Sequence, residues 1–434
     1  MVCPTASPPS WTSGMAEWDR LQQSHPQLHG LCKRHWQTPL ADYAPLLFET
    51  GRASLEEEFL NSFKSCLLAQ GYSEDQAHGA KAQLLTRPVL QTSHHVTPTH
   101  GPTFFTLDLI CLTGLDPAGT LLIGANSGVA FSNSAWSGAL SYRELELVKL
   151  LEEGKNYREI QKSQQERHSH GAEEEQRISL IPSRLRDQLV YGEAIPERLL
   201  ELWSEFKDPF KSLIKSPDQG SGYSGFAAQM AGAIERRIFQ RDLLIFDINE
   251  VVAGYLVKIL GQADHPITSF LFDVDRVKAF NQASGQNLSF LTSAAGKKSA
   301  KVEPLIWDGT SLEGPKWGRQ EFTPEELAAA IENNRLCPGV AILFLVLLFQ
   351  GIKCLGSFNQ AEYLADLRTH FQAAGFDGAD FYSPLGEEIT MGRLLKGGKP
   401  FMPLDLLVRG ETIDIKDYAH LQMGELWQYY LNRI

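Results

Sequence analysis

The chain has 434 residues, 43% hydrophobic and 21% charged, a composition that supports a packed core and excludes a disordered or collagen-like chain. Forty Lys and Arg against 52 Asp and Glu leave a formal charge of −12, which repels a phosphate backbone, so nucleic acid is not an expected partner. The cysteines Cys3, Cys32, Cys66, Cys111, Cys337 and Cys354 show neither CxxC spacing nor the density of a disulfide scaffold, and read as reduced, buried thiols of a cytoplasmic protein.

Residues 1–15 read as a flexible tail without the basic start and apolar run of a secretory signal. Helical spacing follows over 17–32 and 55–70, where Leu55, Phe59, Phe63 and Leu67 share one face. A short strand is expected over 88–92, then a polar loop through His100. Gly101-Pro102 opens a helix over 102–112, and a second strand over 120–123 completes a βαβ unit.

Dense Glu, Lys, Arg and Gln over 142–215 mark a helical insertion or lid, with a solvated hairpin that plays no part in the site as the alternative. A helix over 226–239 leads to the apolar runs 243–247 and 269–273, both read as strands buried on two faces. A hairpin is expected at 288–307, around Gly296-Lys297-Lys298. Thr323-Pro324-Glu325-Glu326 supplies an N-cap, a first-turn proline and two acids for a helix start.

The apolar stretch 340–349 is ten residues long, half of the about 20 a membrane-spanning helix needs, and reads as a core element; no membrane partner is expected. A strand over 352–355, a turn over 356–360 and a helix over 361–374 follow. The fold class is α/β, a Rossmann-like, doubly wound and mostly parallel sheet with a helical insertion. Its parts are residues 16–141 and 216–434 of the core, separated by 142–215.

Four loops carry small and polar residues off the ends of apolar strands, at 91–100, 124–133, 247–250 and 356–360. In an open parallel sheet such loops gather along the carboxyl edge, where ligands bind. The first holds His94, His95 and His100. Imidazoles there could move protons or orient a substrate, although adjacent histidines also cap turns. Gly124-Ala125-Asn126-Ser127-Gly128 can bring backbone close to a ligand but lacks the GxGxxG order.

Gly296-Lys297-Lys298-Ser299 lacks the upstream glycine of a phosphate loop, and Asp273 with Asp275 more commonly caps a helix than bridges a metal. A zinc site of His94 or His95 with His100 and a carboxylate from another loop is a minor reading, because no recognised metal spacing occurs and no metal is expected; the cofactor stays open, a nucleotide being one candidate.

The order of these features resembles the enzymes of bacillithiol biosynthesis that add cysteine to glucosaminyl malate. Thr92-Ser93-His94-His95 and Gly101-Pro102-Thr103 stand where that family has a TGQQ-like turn and a GPL helix start. Phe322-Thr323-Pro324-Glu325-Glu326-Leu327 matches its SLEEL start, and Cys354-Leu355-Gly356-Ser357-Phe358-Asn359-Gln360-Ala361-Glu362-Tyr363-Leu364 its GGPGEIAYW-like turn.

The likeness spans residues 88–375. Here two family glutamines are His94 and His95, an acidic position is Gln360, and the family's long C-terminal coiled coil is lacking. The resemblance implies a Rossmann-like core with its site at those loops, and chemistry that joins an amine or thiol group to a small polar substrate.

The expected function is therefore that of a biosynthetic, ligase- or transferase-like enzyme of a small polar metabolite, with His94, His95 and His100 as acid/base or orienting groups. Ser93, Asn126, Ser127 and Asn359 would bind substrate, Gly101 and Gly356 would allow close backbone approach, and Gln360 and Tyr363 would line the site. His94→Ala is then expected to cut turnover by orders of magnitude and leave stability nearly unchanged. The alternatives are a nucleotide-sugar glycosyltransferase and a non-catalytic metabolite-binding or assembly protein; the oligomeric state stays open.

Overall fold

The computed structural model describes residues 21–51, 53–127, 222–293, 302–376, 388–396 and 403–431, with short pieces between 141 and 209 and at 399–400. The expected insertion over 142–215 lies almost wholly outside them, as do the Gly296-Lys297-Lys298 loop and residues 128–133.

Four strands, β1 (Val89–Gln91), β2 (Leu121–Ala125), β3 (Leu243–Asp247) and β4 (Lys353–Leu355), form one sheet in the order β4-β1-β2-β3. All three pairings are parallel, with Leu90 opposite Cys354, Gln91 opposite Ile123 and Ile123 opposite Ile245. Continuous apolar runs suit these strands because both faces are covered. Leu121, Ile123, Leu243 and Ile245 pack in one cluster with residues of Pro102–Gly114 and Gly222–Phe239. Leu122, Leu244, Phe246 and Cys354 pack in the other, with Glu57–Ala69, Ile248–Ile259 and Val340–Phe349.

The last of these helices is a buried core element, and among the described residues no helix is long and apolar enough to cross a membrane. For the site the helices that matter are α1 (Pro102–Gly114), which joins β1 to β2, α2 (Gly222–Phe239), α3 (Ile248–Ile259) and α4 (Phe358–Ala373).

A second sheet of five antiparallel strands runs Cys337–Pro338, Ser289–Ser293, Val302–Trp307, Ser311–Gly314, Gly318–Glu321. The expected hairpin is its centre, with Phe290 opposite Leu305. The buried Trp307 ties this sheet to the core, its Nε1–H donating to the Leu271 carbonyl at 2.6 Å.

The segment 269–273 is not a strand. It lies largely in the helix Pro266–Leu271, which has proline in its first turn and is capped by His265 Nδ1, accepting from the Ile267 N–H at 3.2 Å. A short apolar run fits either element, and here the cap and proline decide. Asp273 in turn accepts from the Asp275 and Arg276 N–H groups at 3.1 Å and caps the helix Val274–Ala283, the more common of the two roles weighed for that acid. Thr323 and Glu326 form a reciprocal capping box at Pro324–Glu332.

Glu56, at the start of Glu57–Ala69, accepts hydrogen bonds from the Tyr255 hydroxyl and, at 3.3 Å, from Gln350 Nε2, and lies 3.3 Å from His265 Nε2. Burial raises its pKa, but the bonds from His265 and Tyr255 and the His265 charge outweigh that and hold it below the usual 4.5. A carboxylate with a depressed folded pKa stabilises the fold above its unfolded value and loses that contribution as pH falls through the folded one. Acid titration of the urea midpoint below pH 4.5 is therefore expected to be shallower in Glu56→Gln than in the parent. Parallel curves would remove Glu56 from the acid response.

Candidate functional site

β1 ends at Gln91, but the chain stays extended and keeps pairing on both sides. The Thr92 N–H donates to the Leu355 carbonyl at 2.9 Å, extending the ladder with β4. On the other flank the Asn126 N–H donates to the His94 carbonyl at 2.7 Å and the Val96 N–H to the Asn126 carbonyl at 3.3 Å. Successive side chains of an extended segment point to opposite faces. Ser93 accordingly meets α4, through its hydroxyl to Gln360 Oε1 at 3.2 Å, while His94 turns toward α1. The chain then folds back through Thr97 to His100 and enters α1 at Gly101-Pro102.

His94 Nε2 lies 3.0 Å from Asp108 Oδ2, and His100 Nδ1 lies 2.7 Å from Glu235 Oε1. Asp108 comes from the middle of α1 and Glu235 from α2. All four side chains are at most 3% exposed. The His94 ring stacks on Phe104 with centroids 4.6 Å apart and lies 4.7 Å from the His100 ring; His95 meets the edge of Phe104 at 5.7 Å.

Three nitrogens in this group have no hydrogen-bond partner, His94 Nδ1, His95 Nδ1 and His100 Nε2, and Asp108 Oδ1 and Glu235 Oε2 find one only in each other, through a proton held between the two carboxyls. Buried polar atoms are rarely left so, and each such case asks for a reason.

Burial in these surroundings disfavours charge. It drives His94 well below the usual histidine value, helped by the charges of His100 and His95, and takes His95 down to about 4 with help from His100. Asp108 moves the other way, pushed well up by burial and then by the charge and hydrogen bond of Glu235. At neutral pH His94 and His95 are thus neutral, suited to accept protons or to ligate, while Asp108 is biased toward its protonated form.

Other expected site residues are spent on structure. Gln360 Nε2 donates to Thr92 Oγ1 at 2.7 Å and to the Leu355 carbonyl at 3.2 Å, so its side chain fills the join between the carboxyl ends of β1 and β4. Gly356 is needed by that glutamine, since a Cβ there would lie 2.2 Å from Gln360 Cδ. Ser127 donates from its hydroxyl to Asp247 Oδ1 at 2.7 Å and from its N–H to Asn249 Oδ1 at 3.0 Å, which joins it to the cap of α3. Gly101 caps α1.

Ser93, His95 and Asn126 are the half-buried residues of the rim. Tyr363 does not join it. α4 begins at Phe358, two residues before the expected turn ends, so Asn359 sits exposed in its first turn. Tyr363 packs against Phe344 with ring centroids 5.5 Å apart, on the other face of the sheet. Burial, and then the Cys354 charge, raises the Tyr363 hydroxyl far above its usual value.

Asp108 and Glu235 were not foreseen. Asp108 had a signal, as the lone charge in the apolar run of α1, because a carboxyl in such a helix needs a buried partner. Glu235, also the lone acid of its helix, was masked by the neighbouring charges of Arg236 and Arg237. Comparison with known protein families, curated proteins and solved structures finds no match for this chain.

Proposed function

We propose that the chain is an enzyme of a small polar metabolite, with His94, His100, Asp108 and Glu235 as its reactive centre and Ser93, His95 and Asn126 as the residues at its rim. One observation carries this: four buried ionisable side chains, two of them imidazoles with an unpartnered nitrogen, cluster beneath the loops at the carboxyl edge of a parallel sheet. Ligand sites in open α/β sheets concentrate at that edge, and strongly shifted acids and bases concentrate at functional sites. A Rossmann-like arrangement of the core is part of the same proposal, supported by the parallel order β4-β1-β2-β3 with helices on both faces. Joining an amine or thiol group to the metabolite is the reaction class to try first, and rests on the resemblance of the strand-loop-helix motifs alone.

The full-length protein should gain thermal stability with cysteine or another free amino acid, alone or with an amino sugar, as a ligand specific for the folded state must give. His95→Ala should weaken that binding at least tenfold. Stabilisation by a nucleoside diphosphate sugar instead would favour the glycosyltransferase reading. Binding unaffected by His95→Ala, or binding with no product after prolonged incubation, would overturn the proposal.

A further inference from the structure

The donor set in this buried centre is that of a metal site. We propose that His94, His100 and Asp108 bind a divalent first-row transition metal of the zinc class, with Glu235 supporting them. This builds on the reading that these side chains form the reactive centre, and adds an ion to it.

One ligand atom from each of His94, His100 and Asp108 lies within 4.8 Å of the other two. Ligands bound at about 2.0–2.1 Å around a tetrahedral ion sit about 3.3 Å apart. The 3.0 Å between His94 Nε2 and Asp108 Oδ2 is close to that spacing, so the pair can pass from hydrogen bond to neighbouring ligands with little movement.

Glu235 does for His100 what carboxylates commonly do for metal-bound histidines. It accepts the Nδ1–H at 2.7 Å, which fixes the tautomer and leaves Nε2 with a lone pair and no partner. A proton shared between Asp108 and Glu235 would satisfy their two unpartnered oxygens, Asp108 Oδ1 and Glu235 Oε2, but would leave His94 Nδ1 and His100 Nε2 unanswered. A cation ligated by His94 Nε2, His100 Nε2 and Asp108 Oδ2 gives His100 Nε2 the partner that a proton between the carboxyls does not.

Two imidazoles favour zinc, cobalt or ferrous iron over magnesium and calcium, which prefer all-oxygen shells. Three protein ligands leave a position open, as catalytic sites do. The sequence offered no recognised spacing because the imidazoles come from one loop and the carboxylates from two separate helices.

The test titrates Co²⁺ into full-length, chelator-treated protein and follows the visible absorption of the ion. One equivalent should bind with the intensity of a four- or five-coordinate site, be displaced by Zn²⁺ and be unaffected by Mg²⁺. His100→Gln and Asp108→Asn should each weaken binding at least a hundredfold. Glu235→Gln should weaken it by about ten- to a hundredfold, and His95→Gln should leave it unchanged.

X-ray absorption of the zinc form, which needs no variant to fold, should show imidazole and oxygen ligands only. No saturable binding by the parent, a thiolate-ligated spectrum, or undiminished binding in folded Asp108→Asn and His100→Gln variants would overturn the inference. Metal binding without metabolite binding would sink the functional reading and leave the ion, whereas His95-dependent metabolite binding by a protein that takes no metal would do the reverse.

Discussion

His94→Ala should lower the unfolding free energy by about 3–5 kcal/mol, far from the neutral outcome the sequence suggests for a loop histidine. His94 is fully buried, stacked on Phe104 at 4.6 Å and hydrogen-bonded to Asp108 at 3.0 Å. Truncation removes the packed ring and leaves Asp108 Oδ2 without its partner in an apolar helix, which adds the desolvation cost of an unsatisfied buried group. Equilibrium urea unfolding of metal-free protein reads the effect; a loss below about 1 kcal/mol would mean that water reaches Asp108 and that the centre is not dry. Activity lost in this variant therefore says little about mechanism unless folding is measured beside it. His95, at the rim, is the better probe.

Gly114→Ala should cost about 3 kcal/mol or more, the upper end of overpacking. Gly114 ends α1, and a Cβ there would lie 2.1 Å from the Ala44 carbonyl oxygen and 2.3 Å from its carbon. These are backbone atoms of a neighbouring turn, so no rotamer change relieves the clash and the helix that carries Asp108 must shift. Gly79→Ala is the control. It sits exposed inside the helix Glu74–Thr86 with nothing within 4 Å of its Cβ, and should instead stabilise by about 0.5–1 kcal/mol. Denaturation midpoints that move in the same direction for both variants would contradict this packing.

Where local chemistry was unambiguous, the elements were legible in the sequence. The strands 89–91, 121–125 and 243–247 and the helix opened by Gly101-Pro102 follow from apolar runs and punctuation that tertiary contacts had no reason to oppose. The run 269–273 failed because five apolar residues suit either element, and the start of α4 was placed late because Ser357, accepting from the Gln360 N–H at 3.3 Å, caps the helix earlier than the expected turn allows.

For the site, the sequence by itself singled out His94, His95 and His100, because three imidazoles in one polar loop stand out by composition. Which way each points was beyond it. Extended backbone sends Ser93 and His94 to opposite faces of the sheet, and only the packing of α1 and α2 on one face gives His94 and His100 the carboxyls of Asp108 and Glu235. Glu235 lies 135 positions from His100 along the chain, and no local pattern encodes a meeting set by the order of strands and the rotation of two helices.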